Sequence, residues 1–315
     1  PLKLAGKGWL VSLALAYGLA GILQITGVVI SDLLVGSALV TTAIGTLIPI
    51  LRDENRLGGE FGRNILAIGA VGEFGPVMIV TLLLGATSNA AEQAVLLVGF
   101  VVIAVLTGLA ATGAAARWFD FVTARMENSG QLPVRLAVLL VFALVVLAGD
   151  LGMDVILGAF AAGMIMSMVM GERDAQVFDS KMEAVGFGFL IPFFFIVSGM
   201  NLDVEALFGS LSGALKLPLF FVMMLLVRGI PALIFYRKVL PADQLKPLGL
   251  LSATQLPIVV AITTIGLENG NMRASTAAAL VGAAVLTVLI VPTIALRMLK
   301  AADAESKPEP EPSPA

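Results

Sequence analysis

The 315-residue chain is 58% hydrophobic and 13% charged, with a mean hydropathy of +1.00. A soluble domain carries about a quarter charged residues, so an ordinary water-soluble globular protein is excluded. The net charge of −3 decides little, but the absence of Cys and His does more. Disulfide and thiolate chemistry, haem, most zinc sites and imidazole pH sensing all drop out, leaving carboxylates, Lys or Tyr to carry any proton chemistry.

Along the chain, apolar segments recur at about 8–25, 32–51, 62–85, 92–117, 133–149, 153–170, 184–200, 213–236, 247–266 and 275–299. Each is close to the ~20 residues needed to cross ~30 Å of hydrocarbon as a helix. Barrel strands, which alternate polar and apolar residues over about ten positions, do not fit this pattern. The expected fold is therefore an all-α polytopic membrane protein of about ten transmembrane helices. The fifth and sixth are joined by a very short turn at Asp150-Leu151-Gly152. The final stretch AADAESKPEPEPSPA, Ala301 to Ala315, is rich in Pro and Glu and reads as a disordered tail.

Basic residues test the count, because cytoplasmic junctions collect Lys and Arg. Alternate junctions, starting with the N-terminal one, hold Lys3 and Lys7; Arg52, Arg56 and Arg63; Arg117, Arg125 and Arg135; Arg173 and Lys181; Arg237, Lys238 and Lys246; and Arg297, Lys300 and Lys307. The opposite junctions hold only Lys216 and Arg273, and Arg228 lies inside a span. A wrong helix count would scramble this alternation. Both ends of the chain are thus expected on the cytoplasmic side, with the plasma membrane and its lipid bilayer as the setting.

Two charges fall deep in the apolar runs, where a charged side chain costs ~2.5–3.5 kcal/mol on insertion scales. Glu73 in AVGEFGPVM lies about 15 Å beyond Arg63 at helical rise, and Arg228 about 13 Å before Arg237. Opposite charges at similar depth predict either a structural salt bridge or an ion pathway, with Arg228 as charge partner of Glu73. Asp150, Asp154 and Glu268 fall near the outer ends of spans and read as solvated caps, Asp154 being a weaker site candidate.

Two further spans carry polar interruptions: TTAIGTLIP, Thr41 to Pro49, and SATQLP, Ser252 to Pro257. Proline removes a backbone donor and frees a carbonyl one turn earlier. Non-helical backbone survives at membrane depth only inside protein or beside a water-filled cavity. The interrupted spans are second and second from last, with Glu73 in the span after one and Arg228 in the span before the other. The first and last three spans thus read as inverted-topology three-helix repeats, each with one broken helix, the pattern of secondary transporters.

The stretches TTAIGTLIPILRDENRLGGEFGRNILAIGAVGEFG (Thr41–Gly75), GMDVILGAFAAGMIMS (Gly152–Ser167), GFGFLIPFFFIVSGMNLD (Gly186–Asp203), LLVRGIPALIFYR (Leu225–Arg237) and LLSATQLPIVVAIT (Leu250–Thr263) resemble the monovalent cation:proton antiporter family, in its second branch with Na+/H+ exchangers and Kef-like membrane domains. The resemblance implies a core bundle at about 8–85 and 213–299, with its two broken helices crossed, and scaffold or dimer helices at about 92–200. Members usually have two or three more N-terminal spans, so a chain opening at Pro1 without Met is expected to be N-terminally truncated, its full-length form a homodimer. The resemblance also implies that Glu73 is the shared proton and cation carboxylate, the cation being transient Na+ or K+. Thr41, Thr42, Ser252, Thr254 and Gln255 become the polar groups of the broken helices, and Arg228 the basic partner.

Departures exist: many members have Asp at the Glu73 position, electrogenic members have a second acid where Gly72 stands, and the basic residue is often Lys. The implied activity is exchange of Na+ or K+ for protons by alternating access, with no enzymatic step, no cofactor beyond the transported ions and no nucleic-acid partner. A channel-like K+ efflux component and a non-transporting membrane sensor of the same fold are the alternatives. Gly158-Ala159-Phe160-Ala161-Ala162-Gly163 supplies a small-residue face suited to close helix contact.

Overall fold

The computed structural model describes residues 1–84, 102, 131–150, 155–169 and 172–305. All regular structure among these residues is helical. Among the described residues, seven helical segments are long and apolar enough to cross a membrane: Leu2–Ile25, Asp32–Asp53, Leu132–Asp150, Val177–Met200, Leu211–Tyr236, Ala242–Glu268 and Ala274–Ala304. The expected third span is the helix Gly59–Leu84 and the expected sixth the shorter Val155–Val169. The expected fourth, apart from Val102, lies outside the described residues, as do Leu151–Asp154 and residues 306–315. Ala301–Glu305, expected to open a disordered tail, instead continue the last helix, because Ala and Glu are good helix formers and the first tail proline comes only at Pro308.

Two units divide the chain: Pro1–Pro76 with Leu202 onward, and Val77–Asn201. The first contains α1 (Leu2–Ile25), α2 (Asp32–Leu39), α3 (Ile44–Asp53) and most of α4 (Gly59–Leu84). After the second unit it resumes with the short α9 (Val204–Phe208), then α10 (Leu211–Tyr236), α11 (Ala242–Ser252), α12 (Pro257–Glu268) and α13 (Ala274–Glu305). One order thus occurs twice: a continuous helix (α1, α10), an interrupted one (α2/α3, α11/α12), and a continuous one (α4, α13).

Local chemistry sets these ends. The Ser31 hydroxyl accepts from the Leu34 amide at the start of α2, and the Ser210 hydroxyl from the Gly213 amide at the start of α10. Each satisfies one of the orphan donors of a first turn. Glycines let backbones approach. A methyl at Gly249 in α11 would sit 3.4 Å from the Gly229 carbonyl of α10. At one end of the unit, Leu47, Leu51, Ile65, Tyr236, Leu248 and Leu251 form a fully covered apolar cluster.

The breaks fall at 40–43 and 253–256. Pro49 therefore lies inside α3 instead of marking the break, whereas Pro257 opens α12 as its first residue, where its missing N–H costs nothing. The first break is held by tertiary hydrogen bonds described below, which a proline is not needed to create.

The second unit contains α5 (Leu132–Asp150), α6 (Val155–Val169), α7 (Glu172–Val185), a π-helical turn at Gly186–Leu190 and α8 (Ile191–Met200). The small-residue face packs closely at its N-terminal end: a methyl at Gly158 would run into the Leu144 carbonyl of α5, and Ala161 and Ala162 are buried. Gly163 faces open space.

Candidate functional site

The two interruptions meet. The Ala43 amide donates to the Thr254 carbonyl at 2.7 Å, the Thr42 hydroxyl to the Ser252 carbonyl at 2.7 Å, and the Gln255 side-chain amide to the Leu39 carbonyl at 3.0 Å. The backbone groups released by unwinding each break are thus partly satisfied by the other, as buried backbone must be. Thr41, Thr42, Ser252, Thr254 and Gln255 are all at most 1% exposed, so the expected polar groups of the interrupted helices lie in one buried cluster.

α4 joins this cluster through chemistry visible in GEFGP. Pro76 has no N–H, so the carbonyl of Gly72, four residues earlier, loses its helical donor. That carbonyl accepts the Thr42 amide at 2.9 Å. Glu73, the next residue, is half-buried. Its carboxylate makes no hydrogen bond or ion pair among the described residues.

Arg228 reaches the cluster from α10 and is 4% exposed. Its Nε and Nη2 donate to the Thr42 hydroxyl at 3.0 and 2.7 Å, and its Nε also lies 3.3 Å from the Ser252 carbonyl. Longer contacts run from Nη1 to the Ser12 hydroxyl at 3.5 Å and from Nη2 to the Ile68 carbonyl at 3.4 Å. The Glu73–Arg228 ion pair considered in the sequence is not formed among the described residues. The guanidinium is held instead by neutral dipoles. One is the last carbonyl of α11, where a helix ends with about half a negative charge. Burying a cation without an anion costs several kcal/mol, which makes these carbonyl and hydroxyl contacts essential to its placement.

Several supporting residues carried no sequence signal. Trp9 of α1 donates from Nε1 to the Val40 carbonyl at 3.2 Å, and its ring fills the space a methyl at Gly75 would take. Gly72 itself is required: a methyl there would meet Arg228 Nη2 and Thr42 Oγ1, each at 2.7 Å. Thr287 of α13 accepts the Gln255 amide at 2.9 Å. Proline four residues after a glycine was a readable cue for the freed carbonyl. Trp9 and Thr287 look like ordinary apolar-helix residues. Asp154 lies outside the described residues. The described residues contain no group of three or more acidic side chains placed to hold a metal ion.

Two interrupted helices meeting in a buried polar cluster, beside a lone half-buried acid, define a polytopic membrane protein built on the discontinuous-helix plan of secondary transporters. Residues 1–301 match the family described as sodium/hydrogen exchanger, transmembrane, and the chain belongs to that family of integral membrane proteins. It is 25% identical over 303 residues to "Putative Na(+)/H(+) antiporter YjbQ" of Bacillus subtilis, covering 96% of this chain and 47% of that protein. It is 23% identical over 304 residues to "High-affinity Na(+)/H(+) antiporter NhaS3" of Synechocystis, covering 93% of this chain and 64% of that protein. The chain therefore spans about half to two thirds of the length of these relatives.

Proposed function

We propose that the protein to which this chain belongs exchanges Na+ or K+ for protons by alternating access, with Glu73 as the shared site. The observation that carries this reading is the Gly72–Pro76 turn. It ties α4 to the interrupted segment of α2/α3 while leaving the adjacent Glu73 carboxylate free of any protein cation among the described residues. An acid so placed can hold a proton or a monovalent cation, but not both. The relatives' names favour Na+ as the first cation to test.

Half-helix C-termini contribute negative potential to the cluster. Arg228 and the Gln255 amide occupy two of those carbonyl ends. The cation would then draw on Glu73 and on the remaining oxygens of residues 41–42 and 254–255. Arg228 keeps its charge permanently and acts as a fixed electrostatic partner, not a proton carrier. With a single acid, one proton moves per cation and little net charge is transferred. The basic-residue alternation supports cytoplasmic placement of both chain ends.

The test is a proteoliposome assay of the full-length protein, with an imposed pH gradient and alkali cations added one at a time. Na+ or K+ should dissipate the gradient, and Glu73→Gln should abolish the response while leaving folding intact. Wild-type exchange in Glu73→Gln would remove Glu73 from the role. Cation flux that persists without proton counterflow would favour a channel.

A further inference from the structure

Thr287 is fully buried in α13, where Thr276, nearer the start of the helix, is the other buried polar side chain. Its hydroxyl touches both backbone groups of one residue. It accepts from the Gln255 amide at 2.9 Å, and its own hydrogen is shared between the Gln255 carbonyl at 3.0 Å and the Ala284 carbonyl at 2.7 Å. Gln255 lies in the interruption between α11 and α12, where no helical ladder fixes the backbone. Thr287 is thus a clamp on the residue whose conformation the break would otherwise leave free.

The counterpart in the first repeat gives this clamp its meaning. Ala70–Glu73 reads AVGE and Ala284–Thr287 reads AVLT, each about four turns into the third helix of its repeat. In the first repeat the interrupted segment is held by a backbone oxygen, Gly72 O, which leaves the Glu73 side chain free. In the second, the side chain at the corresponding position does the holding. One repeat spends this position on an ion-binding acid, the other on fixing the interruption.

The fixed residue carries an unused oxygen. With its backbone held by Thr287 and its NH2 group donating to the Leu39 carbonyl, Gln255 presents a buried Oε1 that accepts no hydrogen bond among the described residues, and the buried Thr254 hydroxyl beside it is likewise unpartnered. A buried oxygen left without a partner forfeits the hydration it lost on burial and gains nothing in return. Such oxygens are retained where a ligand completes them. A dehydrated monovalent cation, which seeks neutral oxygens, is the matching ligand.

We propose that Thr287 is a positioning residue that holds Gln255 with its amide oxygen directed to the transported cation. This rests on the exchange reading above. The experiment is cation-dependent exchange by the full-length protein in proteoliposomes, with apparent KM and maximal rate measured separately for Na+ and K+. Thr287→Val, which keeps the shape and loses the hydroxyl, should raise the cation KM about tenfold, as removal of outer-shell support to a metal ligand commonly does. The maximal rate should stay within about twofold. Thr287→Ser should restore the wild-type KM. Gln255→Ala should raise KM similarly, and the double variant should add little.

A wild-type KM in Thr287→Val overturns the proposal. So does a Thr287→Ser variant as impaired as Thr287→Val, or effects that multiply in the double variant. Should Thr287→Val fail to fold, Gln255→Ala and Thr287→Ser still decide it. Retained exchange in Glu73→Gln would instead defeat the underlying reading, a distinct result.

Discussion

Adding one methyl group at position 72 should disrupt the site more than most core substitutions of its size. In Gly72→Ala the new carbon would lie 2.7 Å from Arg228 Nη2, 2.7 Å from Thr42 Oγ1 and 2.9 Å from Thr42 Cβ. Comfortable contacts between such atoms run about 3.5–4.0 Å, so all three are too close by roughly 0.6–1.3 Å. The guanidinium can swing, but moving it forfeits its shortest hydrogen bond, to Thr42. Thr42 cannot easily give, because its hydroxyl is fixed on the Ser252 carbonyl and its amide on Gly72 itself. Overpacking costs about 1–3 kcal/mol, and loss of a charged hydrogen bond about 1.5–3 kcal/mol. Allowing for partial relaxation, the expected destabilisation is about 2–4 kcal/mol.

Reversible unfolding in detergent, followed by helical circular dichroism, measures this. Gly18→Ala in α1, where nothing lies within 4 Å of the new carbon, is the control. It should be neutral or stabilising by up to about 1 kcal/mol, since Ala is the better helix former. Arg228→Lys removes the crowded fork, so the double variant should be less destabilised than the sum of the singles. Equal stability of Gly72→Ala and Gly18→Ala would refute the reasoning.

Thr42→Val should cost about 1–3 kcal/mol, because it strands buried guanidinium donors, while Thr42→Ser should stay near wild type; the same unfolding assay distinguishes them. Pro76→Ala should return a helical donor to Gly72 and loosen the Thr42 amide, read as faster hydrogen exchange at Thr42. At the ends of α3 and α13, Lys300 pairs with Glu54 at 2.7 Å and Arg56 pairs with Asp303. Lys300→Gln should change stability by less than about 1 kcal/mol, and the difference should shrink in high salt.

The helices and their interruptions were legible because both are written in one dimension. Apolar length marks Leu211–Tyr236 and Ala274–Glu305, and the Thr41-Thr42 and Ser252–Gln255 polar groups mark the breaks. Helix ends were less so. α1 begins at Leu2, because Lys3 and Lys7 are good helix formers that a search for apolar residues stops short of. Depth was legible, but azimuth was not. Glu73 and Arg228 share a depth in the sequence, yet the guanidinium turns to Thr42 and the α11 terminus, because Gly72 opens the path for it. Thr287 was invisible since a threonine in an apolar helix usually bonds its own preceding turn, and only the fold brings Gln255 against it.

The central claim is that one carboxylate is shared in turn by a proton and a metal cation. Its most direct measurement is the apparent cation KM of the full-length protein across pH, with Glu73→Asp and Glu73→Gln alongside. Competition at one group predicts that, on the acid side, KM rises about tenfold for each unit fall in pH at constant maximal rate. Glu73→Asp should shift the pH at which the rise begins, and Glu73→Gln should show no exchange. A cation KM independent of pH, or unchanged pH dependence in Glu73→Asp, would contradict the account.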